Sequence, residues 1–246
     1  MTSSTRGLLV VHSKCVRAVE EPEWDEWEDA VHLPALCGGA DAGDGAWAAT
    51  RFVLTTRPEP GMPGLGFTHV TILELDDADV AAHAARVLAV DDDLRASGRM
   101  HPAHATIAAD VFVAHRRHGT KPAPAAARTG HILTHVLCTD PRRAAEWDEW
   151  YDDVHVPDML SCGAFSAMSR WRRSAPRPVG PNHLTLYDVA TSTIDEAVTR
   201  SAATLAELVA AGRKHECHTG ALTVTLRPTG RHGGGGIRRA TARTAS

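Results

Sequence analysis

The chain contains no run of about 18 apolar residues, so it offers no candidate membrane-spanning helix. It also has no C-x-x-C pair. Its five cysteines (Cys15, Cys37, Cys138, Cys162, Cys217) are scattered, which argues against a disulfide framework and against a structural zinc knuckle. A broad field of one charge is missing too: 26 Lys and Arg against 30 Asp and Glu leave a formal net charge of −4 with both signs interspersed. No nucleic-acid or membrane partner is therefore expected. Only the stretch from Arg227, RPTGRHGGGGIRRATARTAS, is basic, and its Gly and Arg content reads as a disordered tail over 229–246. The opening residues MTSSTRGLLVVHSKCV show no charged stretch followed by a long apolar one, from which a cytoplasmic location is expected.

What the chain does have is internal repetition. EWDEWEDAVHLPALC (23–37) returns as EWDEWYDDVHVPDML (146–160), and GLLVVHSKC (7–15) returns as GHILTHVLC (130–138) with Gly, His and Cys in register. Farther on, ATRFVL matches MSRWRR, placing Arg51 over Arg170, and HVTILEL matches HLTLYDV, placing His69 over His183. The insert GGADAGDG (38–45) absorbs the change of offset. With 246 residues and 43% hydrophobic content, two units of about 100 residues can each bury a core.

Within each copy the periodicity changes in a fixed order. A short apolar run reads as a strand, the Trp-containing stretch as a helix, and then come two strands around a Pro/Gly turn, a second helix and a last strand. This is the β-α-β-β-α-β order of a ferredoxin-like unit. The fold class expected is α+β: two tandem ferredoxin-like units forming an intramolecular dimeric α/β barrel. The first half is placed at 1–115, a linker at 116–129, the second half at 130–228 and the tail beyond. Trp147, Trp150 and Val154 form one helix face, expected to pack on the sheet.

The run W-x-x-W-Y-D-x-x-H-V-P, followed by SCGAFSAMSRW and a strand–turn–strand, resembles the dimeric α/β-barrel proteins, nearest to their EthD-like members. The resemblance spans both halves. It implies a barrel completed by duplication within one chain, hence a monomeric pseudo-dimer with homodimerisation left open. Its members include cofactor-free polyketide cyclases, decarboxylases, lactone isomerases and small monooxygenases, with haem-binding enzymes more distant. The first copy departs from the motif: Glu28 stands where the second has Tyr151, Ala30 where it has Asp153, and Ala35 where it has Asp158. If only one half is catalytic, the second is the expected one.

The candidate site residues follow from side-chain chemistry. Pro157 and Pro34 are expected to end each first helix near His155 and His32, where the helix dipole favours a protonated imidazole. His155 is the candidate acid or base, Tyr151 one turn before it the hydrogen-bond donor, Asp152 the orienter and Arg170 an anion clamp. A simple capping role for the two helix-end histidines is the competing reading. The strand residues His12, His135, His69, His183 and Tyr187, with His32 and Arg51, are candidate substrate contacts, and His135 is expected to approach His183 if their faces agree. Arg51 and Arg170 could equally pair with acidic residues of the helix. No metal is expected, because three ligands must converge and the end of the first helix lies far from the start of the third strand. No haem-type cofactor is expected either. The function expected is cofactor-independent acid–base chemistry on a hydrophobic carbonyl or aromatic, polyketide-like molecule, by cyclisation or isomerisation, then decarboxylation or dehydration. Cofactor-free oxygenation and a non-catalytic small-molecule-binding or partner-stabilising module are the alternatives.

Overall fold

The apolar runs form strands and the 3.6-periodic stretches form helices, and both halves run in one order. The first half comprises β1 (Gly7–Cys15), α1 (Glu21–Trp27), a π-helical turn (Glu28–His32), α2 (Leu33–Leu36), β2 (Ala48–Leu54), β3 (His69–Leu75), α3 (Val80–Ala96) and β4 (His104–Gly119). The second comprises β5 (His131–Cys138), α4 (Ala144–Trp150), a π-helical turn (Tyr151–His155), α5 (Val156–Ser161), β6 (Phe165–Arg173), β7 (His183–Val189), α6 (Ile194–Ala210) and β8 (His218–Gly233). This computed structural model describes residues 6–38, 48–55, 65–119 and 129–233. Most of the 38–45 insert and of the turn at 57–66, the linker residues 120–128 and the tail from 234 lie outside the described residues. No helix among the described residues is long and apolar enough to cross a membrane.

The eight strands close into an antiparallel barrel in the order β1-β3-β2-β8-β5-β7-β6-β4. Closure depends on the length of β4 and β8. β4 pairs with β1 and continues along β6, from Phe112 opposite Arg173 to Gly119 opposite Ala167. β8 pairs with β5 and continues along β2 as far as Gly233 opposite Ala48. The residues expected to start a linker at 116 and a tail at 229 therefore belong to strands. A barrel tolerates no open edge, and those extra residues supply the hydrogen bonds that the edges of β6 and β2 would otherwise lack.

Alternation along each strand separates two environments. Leu8, Val10, Phe52, Leu133, Leu184 and Val224 fill the barrel interior. The outward residues pack beneath the helices, around Trp147, Ile132 and Met168 in the second half and around Leu9, Leu73 and Val87 in the first. Side chains capping α3 and α6 set where those helices begin: Asp79 accepts from the Ala82 N–H and Thr193 from the Glu196 N–H. The repeated glycine at the head of each half has a steric reason. A Cβ on Gly7 would strike Val80, and one on Gly130 would strike Ile194, so each first strand runs directly under the first residue of the long helix.

Pro157 does not end its helix. The backbone passes from α4 through the π turn into α5, with the Val156 N–H donating to the Tyr151 carbonyl oxygen, and Leu33 does the same to Glu28 in the first half. A π turn widens the helix by one residue, which gives the following proline ring room that a regular α turn would deny it.

Candidate functional site

The π turn of the second half carries Tyr151, Asp152 and His155 into the interface between helix and sheet. His155 stacks on Trp150 at 5.2 Å, meets the Tyr151 ring edge-on at 4.7 Å and lies 5.3 Å from the ring of His218. Trp147, fully buried, donates its indole N–H to His218 Nδ1 at 3.4 Å. The Tyr151 hydroxyl shares a 2.9 Å hydrogen bond with Thr185. His155 is thus uncharged rather than protonated: burial, with the Arg170 cation nearby, lowers its pKa to about 4. Burial and the neighbouring His155 lower His218 to about 3. The helix dipole expected to favour the imidazolium is weak at a residue whose helix continues past it, and desolvation outweighs it. Burial also raises the Tyr151 hydroxyl.

Arg170 is spent on the helix. Its guanidinium donates to Asp152 at 2.6 Å and to Asp148 at 2.7 Å, and lies 4.1 Å over the Tyr151 ring. Asp152 also takes Arg116 at 3.1 Å and His118 at 3.2 Å, so it faces β4 and β6 instead of orienting His155. Although burial opposes ionisation, hydrogen bonds from His115 and Arg170 hold the Asp148 carboxyl well below the usual range. The expected anion clamp is therefore a structural ion pair, the other of the two readings open to a half-buried strand arginine. Arg51 repeats the arrangement, bonded to Asp25 and 4.6 Å over Trp24.

The strand histidines divide between the two faces. His12 and His135 point into the barrel, their rings 6.0 Å apart, with Phe67 edge-on to His12 at 4.5 Å. His183 lies on the opposite face of its sheet, edge-on to Trp147 at 4.8 Å, so His135 does not approach it. Register alone decides this, because β5 and β7 present these two histidines to opposite sides. Burial lowers His12, and it brings His69, His135 and His183 each to about 4. Tyr187 shares the helix-facing side with Tyr151, packed on Phe165 at 4.7 Å, and burial raises its hydroxyl well above the ordinary value.

In the first half the same frame carries different charge. His32 Nδ1 lies 2.8 Å from Glu28 Oε2 and its Nε2 2.8 Å from Asp91 Oδ1, with the ring stacked on Trp27 at 4.8 Å. Burial opposes protonation of His32, but the hydrogen bonds to Asp91 and Glu28 prevail and raise it to about 9. Burial likewise opposes ionisation of Glu28, whose contacts with His104 and His32 nevertheless bring it down to about 2. Three potential ligands do converge here: donor atoms of Glu28, His32 and His104 all lie within 4.8 Å of one another. The expectation that none would converge considered the start of the third strand, whereas the convergent histidine begins the fourth. His104 and His218 are the site residues that sequence reasoning missed. Both sit at the very start of a half's last strand, in matching positions, and that repetition was the available signal.

No family model matches the chain, and no curated protein does. Solved structures do match. A protein of Fusobacterium nucleatum subsp. nucleatum described as a monooxygenase aligns with TM-score 0.56 and 13% identity over 96% of this chain and 98% of its own. An anthrone oxidase-like protein aligns with TM-score 0.54 and 9% identity over 96% and 97%. A mutant chlorite dismutase from Candidatus Nitrospira defluvii aligns with TM-score 0.59 and 10% identity over 93% and 92%. At such identities the likeness carries the fold alone, and the chain shares the α/β-barrel fold of these proteins.

Proposed function

We propose that the helix–sheet interface of the second half is an acid–base site for a hydrophobic carbonyl or aromatic small molecule, working without a metal or redox cofactor. The observation that carries this reading is the uncharged pair of buried His155 and half-buried His218, enclosed by Trp147, Trp150 and Tyr151. A neutral imidazole accepts protons, and the imidazolium formed on His155 would lie against the face of Trp150, which stabilises a cation. A base held near pKa 4 removes only protons that are already acidic, such as those between two carbonyls or on a polyphenolic ring. Cyclisation or isomerisation through an enolate suits that limit, ahead of decarboxylation or dehydration. Arg170 and Asp152 act as positioning residues that lock the Tyr151 ring. Trp150 covers the cluster, its indole N–H donating to the Arg213 carbonyl at 2.8 Å while the Arg213 side chain grips Asp158, so a substrate enters by parting this cover.

Cofactor-free oxygenation is the second reading, favoured by the fold likeness to proteins described as a monooxygenase and as anthrone oxidase-like. Both readings begin with proton removal and part over dioxygen. Incubating the protein with anthrone or a 1,3-diketone in deuterated buffer separates them: deuterium incorporation without oxygen uptake supports acid–base chemistry, whereas oxygen uptake with anthraquinone and water as products supports oxygenation. His155→Gln is expected to abolish either reaction while leaving the fold intact. Undiminished turnover in that variant removes His155 from the mechanism.

We also infer that the two halves arose by tandem duplication, making the chain a pseudo-dimer whose barrel needs no second copy. Support comes from the shared π turn, the arginine over a tryptophan in each half, and the indole N–H of Trp27 and Trp150 bonded to the carbonyls of Arg99 and Arg213.

A further inference from the structure

We propose that Glu28, His32 and His104 form a binding site for one divalent transition-metal ion in the first half, with Asp91 as the outer partner of His32.

An indole N–H only donates, so the 3.1 Å contact from Trp24 Nε1 fixes His104 Nδ1 as an acceptor. The His104 proton then sits on Nε2, 3.2 Å from the Thr106 hydroxyl. Nδ1 thus has no proton to give Glu28 Oε1, although the two atoms lie 3.1 Å apart. Glu28 Oε1 is buried without a hydrogen-bond partner. Two electron-rich atoms thus face each other in a buried space, Glu28 Oε1 without a hydrogen-bond partner while only the other carboxylate oxygen holds the charged His32, and a cation between them would relieve that opposition.

The spacing suits coordination. Donors 3.1 Å apart, each about 2.1 Å from a shared ion, subtend an angle of about 95°. His32 Nδ1 completes the set by moving about 1 Å, giving up its proton and its hydrogen bond to Glu28. Its Nε2–H stays on Asp91, the carboxylate–histidine pairing that fixes the tautomer of a ligating imidazole. Two imidazoles and a carboxylate suit zinc and its first-row neighbours better than calcium or magnesium. Trp27, stacked on His32 and 5.2 Å from His104, shields the position from water.

The second half serves as an internal control. It keeps both histidines, as His155 and His218, but has Tyr151 in place of Glu28 and Leu205 at the place in α6 that Asp91 holds in α3. Without either carboxylate the pair there is neutral and unsuited to a dication.

The test uses the full chain, stripped with chelator and titrated with Co2+ while the visible ligand-field absorption is recorded. One Co2+ per chain is expected, displaced by Zn2+. Glu28→Gln and His104→Gln should each abolish stoichiometric binding, Asp91→Asn should weaken it about 10- to 100-fold, and His155→Gln should leave it unchanged. A Co2+-soaked crystal of the unaltered protein gives a readout that does not depend on variants folding: the anomalous peak should lie between Glu28 Oε1 and His104 Nδ1. No stoichiometric binding, a peak elsewhere, or binding indifferent to Glu28→Gln would overturn the proposal. The separate anthrone and diketone assay reports on the second half, so either idea can fail alone.

Discussion

At the scale of single residues, burial has turned charged and titratable groups to structural use. Arg170 is 2% exposed and bridges two carboxylates at once. Arg170→Ala would leave Asp152 buried beside only its partly exposed partners Arg116 and His118, so a loss of about 3–5 kcal/mol is expected in urea-denaturation experiments. An unchanged midpoint would mean that water reaches the carboxylates. Sequence made Arg51 and Arg170 stand out, because arginine is rare on a half-buried strand, but it left their partners open. Helix phase, which the π turn shifts, decided for Asp25, Asp148 and Asp152.

The decisive element is that π turn. One extra residue in the helix turns Tyr151 and His155 toward the sheet and lets Pro157 follow without a break. Deleting the exposed Asp153 should restore a regular α helix and rotate the two ends by about 100° relative to each other. The expected result is loss of the His155–Trp150 stack, seen as a rise of the His155 pKa from about 4 toward 6.5 in an NMR titration. A pKa that stays near 4 would show that the turn does not set its burial. The motif's spacing singled out Tyr151 and His155 and assigned them to the wrong local geometry. A proline two residues after a histidine reads as a helix stop, and only the five-residue hydrogen bond from Val156 shows otherwise.

At the scale of the whole molecule, histidines buried on both sides of the sheet make the fold sensitive to acid. Burial lowers His69, His135, His155 and His183 from 6.5 to about 4, and His218 to about 3. As pH falls below 6.5 the unfolded chain takes up these protons while the folded chain does not, so stability declines through the window from 6.5 to about 4, and beneath it protonation of Glu28 and Asp148, carboxylates held low by their partners, continues the loss. Thermal unfolding followed across that window should show a melting temperature that drops steadily as pH is lowered. A flat profile would contradict the burial of these imidazoles in an uncharged form.

The sequence by itself determined the order of elements, the matched halves, and the residue types at each helix end. Periodicity and internal repetition are local properties, and a chain compared with itself displays them directly. Tertiary structure decided which residues meet. His135 and His183 are separated by strand register, His218 and His104 are delivered by the first residue of a distant strand, and the long strands β4 and β8 join the halves edge to edge. Each of these depends on which strand lies beside which and on which face a side chain takes. Hydrogen bonds between residues far apart in the chain fix both, and those bonds leave no periodic mark on the sequence.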